Sequence, residues 1–281
     1  MQITQIRNAT ILLEVGDRRI LVDPMLSPPS SLPGFRLFRG DRRKNPLTTL
    51  PEGIDGVLSS ATDVLITHEH PDHFDQPALA WVASRNLRVW ASSVDVANLQ
   101  RKGLDARDVI DDECGLPVEV IPGTHGHGVL GWLMGPVAGF YLACPGEPTV
   151  YLTGDTVLTR SVQDTIERLQ PHVVVAPAGV ANFGIGKDLL FSEAELVELA
   201  RQAPGRIVFN HLESIDHCPM TSARLRKLVE DAGVGEKVVI PGDGERLSFS
   251  LDTEVPHVSP GDSKRRRPSL QKWVTAKMAG T

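Results

Sequence analysis

Only 5% of the 281 residues are aromatic, three are cysteine, and positive charge is not in excess. Scarce aromatics leave few platforms on which bases could stack, as single-stranded nucleic-acid binders require. Lys and Arg number 29 against 35 Asp and Glu, a formal net charge of -6, whereas nucleic-acid-binding domains are usually basic. A nucleic-acid partner is therefore disfavoured. Cys114, Cys144 and Cys218 form neither a CxxC pair nor a paired framework, which excludes a disulfide scaffold and points to a reducing compartment. No apolar run approaches the roughly 18–20 residues of a membrane-spanning helix. The opening MQITQIRNAT lacks the basic and apolar regions of a secretory leader. The expected setting is the cytoplasm, with no membrane partner. What is present is globular: 41% hydrophobic and 23% charged residues supply a core and exclude bulk disorder.

Short strands are expected at 3–6, 9–15 and 18–23, with Gly16-Asp17 as a turn. Residues 25–53 are rich in Pro, Ser, Gly and Arg without periodicity; a segment this long is either disordered or a functional loop. Strand–helix alternation follows: strands at 63–67 and 87–91, a helix at 76–84 capped by Asp75, and another at 93–101 stopping at Gly103. Further strands fall at 118–121, 138–144 and 149–153. In the second half, Val162, Ile166 and Leu169 share a helical face, and Ser192 with Glu195 forms a capping-box signature. Strands at 172–176, 206–210, 237–240 and 247–251 and a helix at 222–232 complete an α/β pattern with no linker inside it. One catalytic domain over 1–255 is expected, followed by a basic, Pro- and Ser-containing tail at 256–281.

Ligand-type residues follow directly after apolar strands. Leu21-Val22 delivers Asp23, Val64-Leu65-Ile66-Thr67 delivers His68, Tyr151-Leu152-Thr153-Gly154 delivers Asp155, and Val208-Phe209-Asn210 delivers His211. Open α/β sheets place their sites outside the carboxyl ends of strands, so four such ends would form a rim of metal ligands. Any one alone reads as a strand-end turn residue. The segment His68-Glu69-His70-Pro71-Asp72-His73 changes the balance by packing three imidazoles and two carboxylates into six residues. Imidazole nitrogen and carboxylate oxygen are donors for zinc, and iron or manganese is also admitted. A closed structural zinc site is disfavoured because no cysteine is nearby.

These residues resemble the HxHxDH motif of the metallo-β-lactamase superfamily, matched by His68, His70, Asp72 and His73. The later ligands of that family match His125 in Gly123-Thr124-His125-Gly126, Asp155 in Thr153-Gly154-Asp155, and His211 in Asn210-His211. Within the superfamily, Asn8-Ala9-Thr10, Asp23-Pro24 and residues 211–217 resemble the ascorbate-6-phosphate lactonase-like branch of metal-dependent hydrolases. The resemblance covers roughly residues 1–251 and implies an αββα four-layer sandwich, two mixed sheets flanked by helices. It implies that His68, His70 and His125 hold one divalent metal ion, that Asp72, His73 and His211 hold a second, and that Asp155 bridges them. Zinc is the first expectation, with manganese or iron and single occupancy as alternatives. A pair of ions about 3.5–4 Å apart would acidify a shared water toward neutrality, giving a metal-bound hydroxide. Asp72 would orient it and shuttle its proton, and Asp23 would brace a ligand imidazole.

Other residues admit two readings. His127 competes with His125, and the His-Gly pattern favours His125. His217 either contacts substrate or is an ordinary loop histidine, and His172 and His257 read as packing or solvent-facing. Cys218 reads as a small buried thiol, and Gly242-Asp243-Gly244 as a turn. Residues 182–186 read as a flexible connection or a close approach to ligand. Arg42-Arg43-Lys44 could attract an anionic substrate, and Lys264-Arg265-Arg266-Arg267 is a solvated tail run. The function expected is a metal-dependent hydrolase acting on a small ester, lactone or phosphoester. The alternatives are a nuclease or phosphodiesterase and an iron-dependent oxidoreductase on the same fold. A small-molecule substrate is the expected partner, and a homo-oligomer is left open.

Overall fold

The computed structural model describes residues 1–38, 40–111, 114–184, 188–251 and 255–260. The run at 264–267 and the rest of the tail beyond 260 lie outside the described residues, as do 185–187 of the glycine-containing connection. Three antiparallel strands open the chain: β1 (Gln2–Arg7), β2 (Thr10–Val15) and β3 (Arg18–Val22). After the 25–53 connection come α1 (Ile54–Ser59), β4 (Asp63–Ile66), α2 (Gln76–Ser84), β5 (Arg88–Ala91), α3 (Ser93–Arg101) and β6 (Ala106–Asp108). The second half begins β7 (Val118–Gly123), α4 (Gly128–Leu133), β8 (Val137–Leu142), β9 (Val150–Leu152) and α5 (Arg160–Leu169). It continues β10 (Val173–Pro177), α6 (Glu193–Gln202), β11 (Arg206–Asn210), α7 (Ser222–Asp231), β12 (Val238–Val239) and β13 (Arg246–Ser248).

Seven of these strands form one sheet in the order β13-β1-β2-β3-β4-β5-β6, and six form another in the order β12-β11-β10-β9-β8-β7. Both sheets are mixed: β3 to β6 run parallel in the first, and β9 to β12 in the second. Side chains alternate across a strand, so each sheet feeds two cores. Ile20 and Val22 point between the sheets, where Ile11 and Leu13 meet Phe140, Leu142, Leu152 and Val175. Leu21, Val64 and Ile66 point outward onto Ala78 and Val82 of α2 and Leu99 of α3. On the far face Tyr141, Tyr151, Val174 and Phe209 pack against α5, α6 and α7. Strands covered on both faces carry unbroken apolar runs, which is why Val64-Leu65-Ile66 shows no alternation. The layers are helix, sheet, sheet, helix: the four-layer αββα sandwich that the resemblance implied.

Local signals place the helices. The Asp75 carboxylate accepts from Ala78 N at 2.9 Å and caps α2, while Ser192 and Glu195 form a complete capping box on α6, worth about 1 kcal/mol. Val162, Ile166 and Leu169 are buried along α5. Three elements carry no such signal. Helix α1 has only Ile54 and Leu58 buried, β6 is three residues long, and α4 contains Gly128 and Gly131.

The 25–53 segment is a fastened loop. The Arg7 side chain is fully buried and donates to the carbonyls of Met25 (2.7 Å), Ser27 (2.9 Å) and Thr48 (3.0 Å), gathering both ends of the loop. Ser27 N donates to Asp75 Oδ2 at 2.7 Å, so the residue that caps α2 also anchors the loop.

Asp95, in the first turn of α3, is buried and accepts from Ser92 Oγ at 2.9 Å. Burial pushes its carboxyl up to about 7, and the nearby charges of Glu69 and Asp23 add to the effect. The folded state therefore holds this proton more tightly than the unfolded chain, and that stabilisation is lost as pH rises from about 4 through 7. Asp95→Asn stays neutral throughout. The melting temperature of the variant relative to wild type is expected to rise between about pH 4 and pH 8, and a flat difference would show that Asp95 ionises freely.

Candidate metal centre

Strands β3, β4, β9 and β11 end at one edge of the sandwich, and each hands its next residues to the same pocket. Asp23 follows β3 at once, His68 follows β4 after Thr67, Asp155 follows β9 after Thr153-Gly154, and His211 follows β11 at once. Gly154 has φ +63°, and a Cβ there would lie 2.8 Å from Ala138 O, so only glycine permits this turn. Asn8, Asp23 and His211 also hold positive φ (56°, 45° and 59°), strain of the kind that clusters at functional sites.

Two donor groups face each other. One comprises His68, His70 and His125; the other comprises Asp72, His73, Asp155 and His211. Within each group, one donor atom per residue lies within 4.8 Å of the rest. Asp155 Oδ2 connects the groups, standing 3.2 Å from His73 Nε2, 3.4 Å from His125 Nε2 and 3.6 Å from His211 Nε2. His127 is half-buried and belongs to neither group, so the pocket takes His125. Six of the seven donors are buried, and only His70 is partly open, its Nε2 2.9 Å from Met134 O.

The residues present fit divalent ions. His68 Nε2 and Asp155 Oδ1 are buried with no hydrogen-bond partner among the described residues, which is costly for polar atoms unless something else satisfies them. Burial drives the His68 imidazole well below its usual pKa and His125 down to about 4, leaving both neutral and able to donate a lone pair. Burial acts the same way on His73 and His211, but is outweighed by Asp155, joined by Asp23 for His73 and by Asp72 for His211. Both are held well above the usual range. Burial alone would raise Asp72 and Asp155; His211 and His73 hold both well below the carboxylate range instead. Protons on His73 and His211 thus supply the positive charge that bound ions would bring.

A supporting layer orients the donors. Asp23 accepts from Thr67 N (2.8 Å) and Thr67 Oγ1 (2.6 Å) and lies 2.9 Å from His73 Nδ1. Its place is behind His73. Asn8 reaches across the pocket floor: its Nδ2 donates to Asp72 O at 3.0 Å, and its carbonyl accepts from His211 N at 3.0 Å. Thr10 Oγ1 donates to Asp23 O at 2.7 Å, and Cys218 Sγ lies 3.5 Å from His211 Nδ1. Sequence reasoning quoted Asn8 and Thr10 only as markers of a family branch; a tight Asn-Ala turn between two strands was the signal of their positional role.

His217 is buried at the pocket rim, edge-on to Phe35 (5.6 Å between centroids) and stacked on Phe183 (6.2 Å). Burial lowers its pKa, against the charge of Asp72, and its Nδ1 has no partner among the described residues. Cys218 is the buried thiol expected. His172 is buried and pairs with Thr149, which is its packing reading, whereas His257 is exposed.

A sandwich of this layering, with a His/Asp pocket at the strand ends, defines a metallo-β-lactamase-type protein. Residues 18–211 match the family described as the β-lactamase superfamily domain, and the chain belongs to that superfamily. UPF0173 protein YddR of Bacillus subtilis is 30% identical over 256 residues, covering 89% of this chain and 100% of that one. A UPF0173 metal-dependent hydrolase of Xanthobacter autotrophicus is 29% identical, with 89% and 99% covered. Among solved structures, an isothiocyanate hydrolase from Delia radicum gut bacteria matches with a TM-score of 0.82 at 30% identity, covering 89% of this chain and 100% of that one. Among the described residues, no helix is long and apolar enough to cross a membrane.

Asp23→Asn keeps the shape of the brace but removes its charge and leaves one of its contacts mismatched. Affinity for an added divalent ion, read by competition with a chromophoric chelator, is expected to fall about 10- to 100-fold, with unfolding still cooperative. Unchanged affinity would show that His73 is oriented without it.

Proposed function

We propose that this chain is a metal-dependent hydrolase whose two donor groups each hold one divalent ion and share Asp155, and which acts on a small electrophilic substrate. The observation that carries the proposal is the single Asp155 oxygen within 3.2–3.6 Å of imidazoles from both groups. Zinc suits this set of imidazole and carboxylate donors, with manganese and iron as alternatives. Bound ions would supply a water acidified toward neutrality and polarise the bond under attack.

The residues of the chain do the rest. His68, His70 and His125 would hold one ion; Asp72, His73 and His211 the other. The Asp72 carboxylate, ionised at neutral pH, stands 3.4 Å from His211 Nε2 and can accept a hydrogen bond that orients the attacking water. His217, its pKa lowered by burial and its Nδ1 without a partner among the described residues, is positioned to contact substrate or leaving group.

Isothiocyanates are the first substrate class to test, because the isothiocyanate hydrolase is similar along its whole length and because apolar side chains border the pocket. Water adds to the central carbon of R–N=C=S and one of its protons passes to nitrogen, giving a thiocarbamic acid; the second proton then moves from oxygen to nitrogen as the C–N bond breaks, releasing the amine and carbonyl sulfide. Small esters, lactones and phosphoesters are the competing classes. A panel of benzyl isothiocyanate, a γ-lactone, a phenyl ester and bis-p-nitrophenyl phosphate is expected to show turnover of the isothiocyanate above the others. Turnover of none, with two ions bound, would overturn the hydrolase reading.

Asp155→Asn removes the shared charge. Bound metal per chain is expected to fall, more at the site with fewer imidazoles, and turnover to drop by about 100-fold or more. Full metal occupancy with near-normal turnover would rule out a bridging role.

A further inference from the structure

The middle of the 25–53 loop is held by a buried carboxylate that the chemistry above does not use. Asp216 lies in the turn between His211 and α7 and is buried. Its Oδ1 accepts from Phe35 N (2.9 Å), Arg36 N (3.3 Å) and Asn45 Nδ2 (3.0 Å), and its Oδ2 from Arg43 N (3.1 Å). Its own N–H donates to Asn45 Oδ1 at 2.9 Å. Leu47 N donates to Ser214 O at 2.7 Å, extending the seam. Two stretches of the 25–53 loop, distant from residue 216 in sequence, are thus pinned to the segment that carries His211 and His217. Gly34 makes the approach possible: a Cβ there would lie 2.6 Å from Arg43 O and 2.7 Å from Asp216 Oδ2.

What the pinned loop presents is apolar. Phe35 is placed edge-on to His217, and Phe38 N donates to Phe183 O at 3.0 Å, tying the loop to the ring stacked on the other side of His217. Phe35, Phe183 and Met134 are half-buried over a cluster of Met25, Leu189, Ile215 and Cys218. Met134 O meets His70 Nε2, and Cys218 meets His211 Nδ1, so this wall adjoins both donor groups.

We propose that Asp216 is a positioning residue that fixes residues 34–38 and 40–45 as a wall of the pocket, and that this wall selects substrates bearing an uncharged, apolar substituent. The proposal rests on the reading of the pocket as a hydrolytic site and adds what sets its preference. Asp216 does not touch the reacting atoms; it acts through Phe35 and, by way of the loop, through Phe183. The buried carboxylate pairs several backbone N–H groups at once, which an amide cannot do without presenting a donor to a donor.

The test separates this from the hydrolase reading. Binding to the full-length protein as purified is measured by NMR titration with two inert probes, N-benzylacetamide and N-methylacetamide. Wild type is expected to bind the benzyl probe at least about 10-fold more tightly, and Asp216→Asn and Gly34→Ala to lose most of that ratio. Both variants are also expected to be cut faster by trypsin after Arg36, Arg42 or Arg43, with bound metal per chain unchanged. If benzyl isothiocyanate or the phenyl ester is turned over, its KM should rise about 10-fold while kcat changes less than about 2-fold. Gly34→Ala keeps the carboxylate, so it decides the matter if Asp216→Asn folds poorly. Equal binding of the two probes by wild type would overturn the apolar preference. An unchanged ratio in Gly34→Ala, or in a folded Asp216→Asn, would overturn the part given to Asp216. Failure of the whole substrate panel would overturn the hydrolase reading and leave the binding ratio to decide this one.

Discussion

Asp155 is a carboxylate buried beneath the imidazoles of His73, His125 and His211, and burying a charge in that way is unfavourable unless opposite charge or hydrogen bonds compensate it. The surrounding architecture supplies the compensation. His73 stands between Asp155 and Asp23, and His211 lies against Asp72, so negative and positive groups alternate across the pocket. Removing any member leaves a neighbour buried with its charge unmatched. Asn8, Thr10 and Thr67 hold this arrangement by hydrogen bonds to backbone and carboxylate, and each sits at a strand end or in a strand-to-strand turn.

That compensation needs the two sheets to meet in register. Four of the seven donors come from the first sheet, after β4, and the other three from loops after β7, β9 and β11 of the second. The apolar layer between the sheets, from Ile11 and Leu13 to Phe140 and Leu152, keeps the strand ends level. Truncating one large side chain of that layer, such as Phe140→Ala, would cost about 3–5 kcal/mol and shift the donors relative to one another. Packing in the middle of the molecule and charge at its edge are therefore one problem. Positive φ at Asn8, Asp23 and His211 is where the backbone accommodates both.

The loop at 25–53 adds a third constraint. Arg7 gathers its ends and Asp216 its middle, so a segment without helix or strand period is held by buried side chains from remote parts of the chain. The rim of the pocket is shaped by this loop and by the turn after β11, while the floor is shaped by strand ends. Floor and rim can thus change separately, which is how one fold accommodates different substrates.

Much of the floor was legible in the sequence. Apolar runs ending in Asp or His identified four strand ends, His68 to His73 packed enough donors into six residues to mark the pocket, and Asp75, Ser192 and the Val162-Ile166-Leu169 face placed their helices. These features are local, with period, cap and ligand type contained within a few residues. What needed the tertiary structure was everything decided by approach between distant segments. The pairing of Asp216 with Asn45, the reach of Asn8 to Asp72, the burial of Arg7 and the placing of Phe35 against His217 span from 41 to 182 residues of chain in several cases, and no period or motif encodes them. Short elements such as β6 and α1 escaped for the same reason, since their neighbours rather than their own residues stabilise them. The sequence determined which side chains could hold an ion; only folding decided which of them share a carboxylate, and which apolar surface lies beside them.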